Sequence, residues 1–100
     1  MTVYVLEIAP LAERDIQDAF IWYRERNAAI ADAFRAEAFE VIQKIGASPR
    51  GKAADEEGNS RRVLHRFPYS VVYELVENTV TIVAVSHHRR SPNYWRPARP

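Results

Sequence analysis

One hundred residues, 47% hydrophobic and 27% charged with a net charge of +1, are the make-up of a single globular domain, residues 1–100. The lack of cysteine excludes disulfides, thiolate nucleophiles and thiolate zinc sites. No apolar run approaches the ~20 residues that cross a bilayer, and no basic-then-apolar leader opens the chain, so a cytoplasmic protein without membrane contact is expected.

The small net charge conceals two unlike portions. Residues 1–60 hold 7 Lys/Arg against 11 Asp/Glu, a balance of −4, whereas residues 61–100 hold 7 Arg against 2 Glu, a balance of +5, and all three histidines. A basic portion of this kind suits a polyanion or an acidic protein. The plainer alternative is that the two portions neutralise each other across the fold.

In chain order, Val3–Ile8 is a short β-prone run. Pro10, lacking an amide hydrogen and with φ preset, starts a helix. That helix carries apolar residues at Leu11, Ile16, Ala19, Phe20 and Tyr23, with Glu13, Arg14, Asp15, Asp18, Arg24 and Glu25 on its wet side. Trp22, between stripe positions, is assigned to packing within the helical hairpin. Asn27 breaks the pattern. A second helix follows, with the stripe Ile30, Phe34, Ala38, Val41 or Ile42, and Ile45, ended by Gly46 as C′ residue and by Pro49. The small, polar residues 47–60 form a long loop.

Strands are predicted at 61–67, 70–77 and 79 to 86 or 87, joined by turns at Pro68-Tyr69 and Asn78. The resulting order, β-α-α-β-β-β, is an α+β fold with a helix hairpin packed on one face of a mainly antiparallel sheet. Val71, Tyr73 and Leu75 face one side; Val72, Glu74 and Val76 face the other, with either Val80-Ile82-Ala84 or Thr81-Val83-Val85 beside them. An uncovered second face would be a partly apolar binding patch; the loop 47–60 or the C-terminal segment is the alternative cover.

The last strand, Thr79-Val-Thr-Ile-Val-Ala-Val-Ser, leads directly into His87-His88-Arg89-Arg90-Ser91-Pro92-Asn93-Tyr94-Trp95-Arg96, a cationic and aromatic segment presented from a rigid strand end. This order of elements resembles the RelE/ParE superfamily, the toxins of bacterial type II toxin–antitoxin pairs. The resemblance covers the whole chain. It is carried by Ala9-Pro10-Leu-Ala-Glu-Arg-Asp-Ile, Ser48-Pro49-Arg50-Gly51, the run Arg61-Arg62-Val63-Leu64-His65-Arg66-Phe67-Pro68-Tyr69-Ser70-Val71-Val72-Tyr73, and Val83-Ala-Val-Ser-His87-His88-Arg89-Arg90-Ser-Pro92-Asn-Tyr94-Trp95. The last two pieces are closer to the ParE branch than to the RelE branch. The resemblance implies a cognate antitoxin protein as partner, DNA gyrase as target, and contact with operator DNA only through the antitoxin.

Two other functions are weighed against a gyrase-directed toxin. A ribosome-dependent mRNA endoribonuclease of RelE type would be metal-free and would draw on Arg61, His87, His88, Arg90 and Tyr94 for base, acid and phosphate clamp. A non-catalytic nucleic-acid-binding module would stack bases on the aromatic tail. For target or antitoxin binding, the candidates are Arg62, Arg66, Val72, Val76, Arg89, Arg90, Tyr94, Trp95 and Arg96, rich in the types that dominate binding hot spots. Tyr94 and Trp95 have a structural alternative, folding back to cap the core. His87 and His88 alternate across the strand, so one at most faces inward, where a hydrogen-bonded structural histidine is expected; Arg61 and Arg62 alternate likewise. Neither a cofactor nor a metal is expected, since adjacent histidines rarely share an ion and no carboxylate or thiol stands near them.

Overall fold

The computed structural model describes residues 3–50 and 58–89. Along the chain it forms β1 (Val5–Ile8), α1 (Pro10–Arg24), α2 (Ala28–Ala47), β2 (Asn59–Val63), β3 (Tyr69–Val76) and β4 (Thr79–His87). This is the expected α+β order. The sheet runs β1-β4-β3-β2. β1 lies parallel to β4, and the other two pairings are antiparallel.

Pro10 begins α1, preceded by extended Ala9. Asn27 separates the helices by capping the second: its Oδ1 accepts the amides of Ala29 at 2.9 Å and Ile30 at 3.2 Å. Both helices cover one sheet face. Ala12, Ile16 and Ala19 of α1 and Phe34, Ala38, Ile42 and Ile45 of α2 meet Val71, Tyr73, Val80, Ile82 and Val85 in one core.

Several boundaries differ from those predicted. β1 starts at Val5, and β2 occupies Asn59–Val63 rather than 61–67. α2 continues through Gly46 to Ala47. Gly46 is therefore a packing position and no C′ residue: a Cβ there would stand 3.3 Å from Leu6 Cδ2, so its bare backbone lets β1 approach α2. Ile30 is 45% exposed and leaves the buried stripe, which begins at the neighbouring Ala31.

The sheet register explains the outer face. Val72 pairs with Ala84 but Tyr73 with Ile82, so Val83 is an extra residue in β4. The bulge reverses the alternation of β4 part-way. The outer set is thus Thr79, Thr81, Ala84 and Ser86, neither of the two sets anticipated. Val72, expected on an open patch, is wholly buried, as is Ala84, and Ser70 and Ser86 are 5% exposed. The face is closed at its centre. Its apolar exposure lies at the margins, at Val76 (61%), Val5 (55%) and Val63 (63%).

Asp15, assigned to the wet side of α1, is also buried, for a backbone reason. β1 ends at Ile8, and its last link is the amide of Ala9 to the carbonyl of Ile82 at 2.9 Å. Beyond that point β4 has lost its neighbouring strand. The Oδ2 of Asp15 accepts the Val85 amide at 3.0 Å in its place.

Candidate interaction site

The basic end of the sheet is built by three segments: the last turn of α1, the β2–β3 connection and the end of β4. Glu37 of α2 fixes the second of these. Its carboxylate accepts the amide of His65, and that of Arg66 at 3.2 Å, so a buried helix residue holds the turn by its backbone. The turn then closes with Tyr69 N–H donating to the Phe67 carbonyl at 2.8 Å and Leu64 N–H to that of Tyr69 at 2.8 Å.

Aromatic rings meet at this end. Tyr23 lies 5.4 Å from Phe34, 5.3 Å from Phe67 and 6.4 Å from Tyr69, centroid to centroid. Tyr69 reaches the His87 ring edge-on at 5.0 Å. The edge-to-face contacts among these, all but the tilted Tyr23–Phe34 pair, add to simple area burial. Burial raises the Tyr23 pKa above the usual phenol range by penalising the phenolate. Trp22 stands outside the helical hairpin, 51% exposed, contrary to its expected packing role. The Arg26 guanidinium covers its ring at 3.6 Å and donates from Nη1 to the Trp22 carbonyl.

Trp22, Tyr23, Pro68, Tyr69, His87 and Arg89 line a cleft of about 580 Å³. Among the described residues, no carboxylate lines it. The His87 Nδ1 accepts the Arg89 amide at 3.0 Å, which places the proton of the neutral ring on Nε2.

The two histidines diverge. His87 joins the core-side rings through Tyr69, whereas His88 turns to Ser70 on the outer face, Nε2 to Oγ 3.1 Å. Arg61 pairs with Val72 and Arg62 with Val71, so these arginines also divide between the faces. Arg62 Nη2 donates to the carbonyl of Ser48 at 3.0 Å, tying it to the end of α2. Arg66 is exposed and stands 3.6 Å from Glu37. Arg89 is exposed at the cleft. Arg90, Tyr94, Trp95 and Arg96 lie outside the described residues. The described residues therefore bring His87 and Arg89 together and keep Arg61 and His88 apart from them. They contain no group of three His, Cys, Asp or Glu able to hold a metal, and no helix long and apolar enough to cross a membrane.

Trp22, Tyr23, Pro68 and Tyr69 were not among the sequence-derived site residues. A signal did exist: adjacent residues on a helix stand about 100° apart, so Trp22 and Tyr23 cannot both sit at the centre of one buried stripe.

Residues 6–92 match the family described as the ParE toxin of type II toxin–antitoxin system, parDE. The chain belongs to the ParE toxin family. No curated protein matches the sequence. A solved structure described as a chromosomal ParDE TA system from P. aeruginosa is similar in fold, with a TM-score of 0.76 at 15% identity, covering 85% of this chain and 96% of that one. This ParE-family chain presents, at the end of β4, a ring-walled cleft with a cationic margin.

Proposed function

We propose that this ParE-family chain is a toxin directed at DNA gyrase and held inactive by a cognate antitoxin, which alone contacts operator DNA. Family membership supports the reading. The observation that carries it further is that, among the described residues, His87 and His88 do not converge. A metal-free ribonuclease needs base, acid and phosphate clamp around a single phosphate. Here His87 and His88 turn to opposite faces, and Arg61 stands on the outer one. Binding requires no such convergence, and the exposed set of Trp22, Arg66, Val76 and Arg89 suits a partner held by rings, apolar contacts and charge. The antitoxin is expected to meet it through apolar and acidic residues.

Expressing the chain without its antitoxin, with DNA and protein synthesis followed by labelled precursors, tests the proposal. Early arrest of DNA synthesis with bulk translation intact is expected, together with inhibition of purified gyrase by purified protein. Immediate translational arrest with cut mRNA would overturn it in favour of the ribonuclease.

A further inference from the structure

The cleft between the end of α1, the β2–β3 turn and the end of β4 is a site in its own right. We propose that it binds an unpaired nucleobase together with its phosphate. The inference does not depend on gyrase being the target.

The lining selects the ligand. Of the described residues that line it, Trp22, Tyr23, Tyr69 and His87 present rings; Pro68 adds a flat apolar surface and Arg89 a cation. Among the described residues, no branched aliphatic side chain and no carboxylate lines it. A general apolar groove would offer branched aliphatic contacts to a helix or strand. Walls of π-systems with a cationic margin suit a flat, π-faced, anionic molecule, and a nucleotide unites these properties. A volume of about 580 Å³ lies within the range of small-ligand sites, roughly 300–1,000 Å³.

The site is also prepared for stacking. Arg26 already lies on the Trp22 ring at 3.6 Å, which holds the indole in place and puts a second cation one ring away from the cleft. The Glu37 carboxylate fixes the turn that carries Pro68 and Tyr69 through the amides of His65 and Arg66. The His87–Arg89 bond sets the turn from which the Arg89 side chain projects. Each wall is thus positioned by contacts that a ligand does not have to create.

Fluorescence anisotropy of 5′-labelled (dT)8 with the full chain tests the proposal, with unlabelled AMP and a fully paired hairpin as competitors. Saturable binding of (dT)8 is expected, with the hairpin competing at least about tenfold more weakly because its bases are stacked internally. Trp22→Ala should weaken binding roughly fivefold to a hundredfold, the size of one lost base–ring stack, while Trp22→Phe retains most of it. Arg89→Ala should lower the slope of log affinity against log salt by about 0.7, one phosphate contact on a single strand. Trp22 and Arg89 are exposed, so unchanged thermal melting should accompany both losses. Competition by AMP would identify a free nucleotide as sufficient; (dT)8 binding that resists AMP would assign the cleft to a strand; either supports a base-and-phosphate site. The proposal is overturned by equal binding of (dT)8 to parent, W22A and R89A, by equal affinity for the hairpin, by no binding, or by a cleft that takes only an acidic peptide.

Discussion

Replacing Glu37 should release the turn that shapes the cleft, and the cost can be worked from its contacts. One carboxylate accepts the amides of both His65 and Arg66, while the Arg66 guanidinium stands 3.6 Å away. The Arg66 side chain is 64% exposed, so the ion pair contributes at most about 0.5 kcal/mol. The two backbone bonds to a charged acceptor are the larger effect. Bonds of this class contribute about 1.5–3 kcal/mol each, and water rehydrates part of an exposed turn, leaving about 2–3 kcal/mol for the pair. Glu37→Ala should therefore cost about 2–3 kcal/mol, Glu37→Gln about 1 because one acceptor survives, and Arg66→Ala less than about 0.5. Urea unfolding measures all three. Amide exchange at His65 and Arg66 gives the local reading, with about 2 kcal/mol of lost protection speeding exchange about thirtyfold. If Arg66→Ala costs as much as Glu37→Ala, the ion pair and not the backbone clamp holds the turn, and the reasoning fails.

Other predictions concern the same frame. Asp15→Ala strands the buried Val85 amide and should cost about 1–3 kcal/mol in urea unfolding, with Asp15→Asn recovering part of this through its carbonyl oxygen; equal losses in the two variants would remove the acceptor argument. Val72→Asp places a charge at a site with no exposed surface and should cost more than about 4 kcal/mol, whereas Val76→Asp, 61% exposed, should change stability by less than about 1 kcal/mol. For Tyr23 the folded pKa lies above the unfolded value of about 10, so the unfolded chain releases this proton first. Its contribution is complete below about pH 10 and is lost as pH rises through the folded pKa. Tyr23→Phe should accordingly lose less stability than the parent between about pH 9 and about pH 11, read from chemical unfolding at each pH.

The element order was legible because each helix has its own punctuation: Pro10 opens the first, Asn27 caps the second, and β-branched runs mark the last two strands. Three tertiary features were not. Alternation has no means of marking an inserted residue, so the bulge at Val83 hid which side chains share the outer face with Val72. Helical periodicity sends a carboxylate to water. Asp15 is buried because β1 stops at Ile8 and leaves an amide of β4 to satisfy, a fact about strands remote in sequence from the helix. Of the site, His87 and Arg89 were legible from the charged strand end. The opposing wall was not, since Trp22 and Tyr69 become neighbours only when α1 and the β2–β3 turn converge.

β4 is the last of the described strands, yet it sits inside the sheet between β1 and β3. During synthesis the first strand and both helices wait for it, because neither β1 nor most of the core has a partner until residues 79–87 emerge. A chain that stops short of β4 consequently leaves the apolar faces of both helices without the sheet they pack on. The sheet therefore closes, and the core is sealed, only once residues 79–87 have emerged to fill the place between the first strand and the third.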